Sequence, residues 1–171
     1  MFNIITDRLE IIPLSKEMLE KSSNDFNFVE ERFGLKKSCI DFSERFKKIL
    51  LLRFNEMKDT EYVYTWSTFW VIALLEENRI IGNIMIKGYP NKDGEVIVGY
   101  SLEANYRGLG YMPEALEGLI KWIFANQDVK YIVAGTLKDN IPSQRVLKKL
   151  RMKVYREDDE CFWWRLEKGD Y

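Results

Sequence analysis

Apolar positions recur along this chain with two different periods, and each switch between periods marks a new element. Leu9 and Ile11 alternate with Glu10 and Ile12 as far as Pro13, which predicts a first strand over Arg8 to Leu14. Ser15 follows as the N-cap of a short helix, Ser15-Lys16-Glu17-Met18-Leu19-Glu20. Residues 24–40 are aromatic and irregular, with Phe26, Phe28 and Phe33. Asp41 caps a second helix, whose stripe is Phe42, Phe46, Ile49, Leu50, Phe54 and Met57. Tyr62 to Leu75 is rich in β-branched and aromatic residues and predicts a strand. Glu76-Glu77-Asn78 is a turn, Arg79 to Lys87 a further strand, residues 88–94 a dense run of turn signals, and Glu95 to Leu102 a third strand. Strands joined this closely imply an antiparallel meander.

The helical period then returns. Asn105 to Met112 is a glycine-containing loop, and Pro113 stands where a helix begins and its missing N–H costs nothing. Leu116, Leu119, Ile120, Ile123 and Phe124 form one stripe. Val129 to Gly135 is a strand, and Pro142 opens a helix carrying Val146, Leu147 and Leu150. Strands Met152 to Arg156 and Cys161 to Leu166 close the chain around the acidic turn Glu157-Asp158-Asp159-Glu160. The predicted order is β-α-α-β-β-β-α-β-α-β-β. That is a single α+β domain over residues 1–171, with a mixed, mostly antiparallel central sheet flanked by helices.

Composition narrows the chemistry. The chain has 171 residues and is 46% apolar, enough for one sizeable core. Its 26 basic and 27 acidic residues nearly cancel, which argues against a sequence-independent grip on nucleic acid; the pairs Lys36-Lys37, Lys47-Lys48 and Lys148-Lys149 read as solvated faces. Cys39 and Cys161 have no zinc or disulfide spacing and suit a reducing compartment. Charges at Asp7, Arg8 and Glu10 interrupt the opening apolar stretch, and the run Phe69 to Leu75 is too short to span a bilayer. The expectation is a cytoplasmic protein without a membrane partner, as a monomer or a homodimer. Histidine is absent, which removes Ser-His and Cys-His nucleophilic mechanisms and disfavours zinc, so no metal site is expected.

The candidate site is the strand, loop and helix start from Gly99 to Ala115. Gly108 and Gly110 let backbone approach an anion, the first helical N–H groups lack internal partners, and Arg107 adds a positive charge. A nucleoside-triphosphatase loop needs Gly-Lys-Ser/Thr, whereas Tyr111-Met112 follows Gly110. A dinucleotide fingerprint needs a third glycine where Pro113 stands. The same residues also suit an ordinary strand-to-helix turn.

The run Arg107-Gly108-Leu109-Gly110-Tyr111-Met112 resembles the acetyl-CoA pyrophosphate loop of the GNAT acetyltransferases. Gly94 to Ser101, Tyr106 to Ala115 and Asp139 to Leu150 resemble the branch that contains the ribosomal-protein N-terminal acetyltransferases (RimJ/RimL-like). Thr6-Asp7-Arg8-Leu9-Glu10 and Trp163-Trp164-Arg165-Leu166 fit the same branch, so the resemblance covers nearly the whole chain. It implies a GNAT-like fold and transfer of the acetyl group of acetyl-CoA to a primary amine, on a peptide N-terminus or a small molecule. Tyr100, Ser101 and Leu102 would end a strand whose backbone pairs with pantetheine and supplies the oxyanion donor. The N–H groups of Gly108, Leu109, Gly110, Tyr111 and Met112 would hold the pyrophosphate beside Arg107. Asn140 would bind pantetheine or order its loop, and Ser143 would pass a proton to the departing thiolate. Asn140 and Ser143 equally suit helix capping.

The sequence departs from that pattern where chemistry matters most. Ile97 stands where many relatives carry a glutamate base, which leaves Glu95 and Glu103 as candidates acting through water. Leu147 occupies the place of the tyrosine acid of other branches, Met112 replaces a small residue, and Arg151-Met152 replaces Gly-Phe. A non-catalytic CoA-binding module on the same fold is the alternative. Phe26 to Phe33 with Tyr62, Tyr64, Trp66 and Trp70 would either shape the acceptor groove or pack the core.

Overall fold

The computed structural model describes residues 2–37, 44–56 and 64–171. Strands β1 (Ile4–Ile5) and β2 (Leu9–Pro13) come first, then helices α1 (Lys16–Asn24), α2 (Asn27–Phe33) and α3 (Glu44–Glu56). A 3-10 turn, Tyr64–Trp66, leads into β3 (Phe69–Leu74), β4 (Arg79–Ile86) and β5 (Glu95–Leu102). A second, Ala104–Tyr106, precedes α4 (Tyr111–Phe124), β6 (Tyr131–Leu137), α5 (Ile141–Lys149), β7 (Lys153–Glu157) and β8 (Cys161–Glu167). The strands form one sheet in the order β1-β2-β3-β4-β5-β6-β8-β7. Neighbours run antiparallel except β5 and β6, which are parallel because α4 crosses over between them.

Strand alternation sorts the apolar side chains into two cores. On one face Ile11, Ile72, Ile84 and Val98 meet Leu116, Leu119 and Ile120 of α4 and Leu147 of α5. On the other, Ile12, Val71 and Ile80 meet Leu19 of α1, Val29 of α2 and Leu50 of α3. Full burial of a Leu or Ile side chain stabilises by roughly 1.5–3 kcal/mol, so the central strands are pinned from both sides.

The predicted element order holds, with shifts that have physical causes. Ser15 caps α1 as expected, its hydroxyl accepting from the Met18 N–H at 3.3 Å. Residues 27–33 are helical rather than irregular and end on Gly34 in the left-handed region (φ 66°). β1 was not foreseen. The strand expected over Tyr62 to Leu75 begins only at Phe69, because Trp66 turns inward and packs on Trp122 at 4.7 Å between ring centroids. Of the described aromatic residues considered for an acceptor groove, Phe26, Trp66 and Trp70 are core, Trp70 fully buried beside Trp122, while Phe28, Phe33 and Tyr64 are half-buried against the second cluster. Cys39, Asp41, Phe42, Met57 and Tyr62 lie outside the described residues.

Candidate functional site

The sheet opens where its parallel pair ends. β6 pairs with β5 only from Glu95 to Ile97, opposite Tyr131 to Val133, while Val98 to Leu102 stay paired with β4. The Ile97 carbonyl accepts from Lys87, and the Glu103 N–H donates to Ile81. Odd positions of this stretch therefore face β4, and the backbone groups of Val98, Tyr100 and Leu102 face the gap. Of these, the Leu102 carbonyl is taken by the Arg107 Nε at 3.0 Å.

Above the gap, Gly108 (φ 79°) and Gly110 (φ 86°) both adopt the left-handed conformation, which allows the chain to turn from β5 into α4. Gly110 is the N-cap of α4 and offers no side-chain acceptor, so the first N–H groups of the helix stay available to a ligand. Across the gap, the Asn140 side chain accepts from the Ser143 N–H at 3.2 Å and caps α5. The Tyr100 hydroxyl bridges the gap by donating to the Ser143 carbonyl at 3.1 Å. Burial pushes that phenol up to about 12, so it stays protonated.

Together these parts enclose a cleft of about 480 Å³, within the range of small-molecule sites. Tyr100, Ser101, Leu102, Arg107, Gly108, Gly110, Tyr111, Met112, Asn140 and Ser143 all line it. Leu109 does not: its side chain is exposed, and its carbonyl is held by Arg8 at 3.2 Å. Among the described residues, Tyr106, Arg145 and Lys149 line it as well, and no carboxylate does. Arg107, Arg145 and Lys149 thus give it a positive field that no described lining residue opposes, which favours a polyanion.

The two candidate bases lie elsewhere. Glu95 begins β5 at the end away from the loop, where it accepts from the Asn91 side chain at 3.1 Å. Glu103 points its Oε1, buried and without a partner, toward the neighbourhood of Arg79, Glu30 and Glu77. Burial raises its carboxyl above the usual range, Arg79 opposes this, and Glu30 and Glu77 reinforce it. Leu147 is fully buried in the core under the cleft. Among the described residues, no cluster of three or more His, Cys, Asp or Glu is placed to hold a metal, and no helix is long and apolar enough to cross a membrane.

Sequence reasoning did not select Arg145 and Lys149, although their four-residue spacing on a predicted helix puts them on one face. Nor did it find that Glu114, in the first turn of α4, accepts from the Thr6 hydroxyl at 2.6 Å and the Arg8 Nε at 2.7 Å. No local spacing connects partners so distant in sequence.

A family model described as an acetyltransferase (GNAT) domain matches residues 15–153. An uncharacterized N-acetyltransferase of Bacillus subtilis (strain 168), YjdG, is 30% identical over 95 residues, and the chain spans 56% of that relative's length. The ribosomal-protein-S5-alanine acetyltransferase of Vibrio fischeri superposes with a TM-score of 0.68 at 20% identity, covering 100% of this chain and 99% of its own. The ribosomal L7/L12 α-N-protein acetyltransferase RimL in complex with coenzyme A gives 0.67 at 12% identity, covering 99% of this chain and 100% of its own. At such identities the structures speak for the fold, and the family model speaks for descent: this chain belongs to the GNAT acetyltransferases.

Proposed function

We propose that the protein is an acetyl-CoA-dependent N-acetyltransferase whose donor lies in the cleft between β5 and β6. One observation carries the reading. A strand with gap-facing backbone groups, an uncapped helix start behind two left-handed glycines, and three cations converge on one cleft. A diphosphate suits the loop amides, and the amides of pantetheine suit the gap-facing backbone of Val98, Tyr100 and Leu102.

In this reading the chain mainly holds and orients. The amine attacks the thioester carbonyl, the oxyanion takes a hydrogen bond from a gap-facing N–H, and the sulfur leaves as the C–S bond breaks. Ser143 lines the cleft and relays to the thiolate the proton that the attacking amine gives up, while Tyr100 fixes the start of α5 through the Ser143 carbonyl. The acceptor is a primary amine, on a peptide or protein N-terminus as in the names of the Vibrio fischeri enzyme and RimL, or on a small molecule.

Ile97 in β5, with no carboxylate among the described residues that line the cleft, favours a second reading: a module that binds CoA without turnover. A panel of peptide and small amines separates the two, since only the enzyme releases free thiol from acetyl-CoA. For the shared donor site, Gly110→Glu forces a side chain into the left-handed region, with its Cβ 3.5 Å from the Arg8 guanidinium that holds the loop. CoA affinity by calorimetry should fall at least about a hundredfold while the circular dichroism spectrum is kept. Undiminished CoA binding by that variant contradicts the site.

A further inference from the structure

Two glycines give the loop its turn, and by themselves they leave it loose. A Cβ added at Gly108 would meet nothing within 4 Å, and Gly110 supplies no side-chain cap. Leu109 between them has its own carbonyl to orient. Turned inward, that carbonyl would face an anion with its negative end. In the structure it points the other way, toward Arg8 of the loop between β1 and β2, whose Nη1 donates to it at 3.2 Å.

Arg8 is held in turn from several sides. Its Nε and Nη2 donate to Glu114 Oε2 at 2.7 Å each, and its guanidinium lies over the Tyr111 ring at 4.3 Å from the centroid. The second oxygen of Glu114 accepts from the Arg8 backbone N–H at 2.9 Å and the Thr6 hydroxyl at 2.6 Å. An exposed ion pair on its own contributes little, but here one planar fork joins a helix side chain, a loop carbonyl and a ring. Glu114 is also the acidic residue in the first turn of α4. Its charge would repel a diphosphate at the same helix start, and Arg8 offsets it.

We propose that Arg8 is a positioning residue for the donor's diphosphate. It keeps the Leu109 carbonyl turned out and the loop amides turned in, and it cancels the Glu114 charge beneath them. Arg8 is absent from the lining of the cleft, so it acts through the loop and not by touching the ligand. The proposal rests on the donor-site reading given above.

The test is calorimetry with two ligands, CoA and pantetheine, which lacks the diphosphate. Arg8→Ala should weaken CoA at least about tenfold and pantetheine less than about twofold. Tyr111→Leu keeps the ion pair and removes the ring, which also lines the cleft, and should weaken CoA by about threefold and pantetheine by less. Adding Glu114→Gln to Arg8→Ala should recover part of the lost CoA affinity, because the uncompensated charge is then gone. Equal weakening of both ligands, or unchanged CoA binding in Arg8→Ala, overturns the proposal while the donor site stands. Failure of the unaltered protein to bind CoA at all overturns both.

Discussion

Two ionisable side chains on either side of the cleft set opposite limits on pH stability. Glu114 is pushed up by burial, but hydrogen bonds from Thr6 and Arg8 outweigh this and hold it below 4.5. A lowered folded value means that this stabilisation is complete above the unfolded value and is lost as pH falls through the folded one. Tyr100 is the reverse case. Its proton is held up to about 12 against an ordinary 10.0, so its contribution is complete below pH 10.0 and fades as pH rises toward 12. Urea unfolding across pH should show Thr6→Val flattening the acid limb and Tyr100→Phe flattening the alkaline one. Tyr100→Phe should also cost about 0.5–1.5 kcal/mol at neutral pH for the lost bond to Ser143. An unchanged alkaline limb in Tyr100→Phe would show that the hydroxyl is not held as described. At this scale the sequence disclosed residues and concealed their meetings. Arg145 and Lys149 line the cleft without standing out, and Arg8 and Glu114, each within a recognisable run, are 106 positions apart and meet only because β2 packs beside α4.

Elements were legible where one period dominated. The stripe of α4 and the meander of β3 to β5 follow directly from spacing, since each buries one continuous face. α2 was hidden because its N-cap, Phe26, makes no side-chain cap bond, and the left-handed Gly34 at its end was its one clear signal. β1 escaped because two residues carry no period. The lead-in to β3 was misread because strand propensity at residues 64–66 yields to the tertiary contact of Trp66 with Trp122. Gly82 lies inside β4, and the structure supplies a reason for it. A Cβ there would lie 2.5 Å from the Ser101 carbonyl oxygen and 2.9 Å from Leu102 Cδ1. Gly82→Ala should therefore displace the end of β5, costing roughly 1–3 kcal/mol and weakening CoA binding. Gly99→Ala, whose Cβ would meet only the Met85 methyl at 3.6 Å, should cost less on both counts. Equal effects of the two substitutions in denaturation and binding assays would contradict this account.

For the whole molecule, the gap divides a sheet that α4 and the first core otherwise hold together. A ligand in the gap restores hydrogen-bond partners that β6 withdraws, so binding should tighten the protein locally as well as globally. Hydrogen exchange with and without CoA should show its largest protection at the amides of Val98, Tyr100, Leu102 and residues 110–112. The global shift should follow mass action, about 2.7 kcal/mol at a CoA concentration one hundred times its Kd. Protection spread evenly over the sheet would speak against the gap as the binding place.

In the proposed donor site the readers are chiefly main-chain groups, presented by a strand edge and a helix start. A peptide group is the same whatever residue bears it, so most side chains along that path are free to change without erasing the binding surface. Sequence can thus wander far while a fold keeps its shape, as the 12% identity with RimL across an almost fully superposed chain illustrates. The glycines at positive φ, which the path itself requires, are the part of the site that residue identity writes into the sequence.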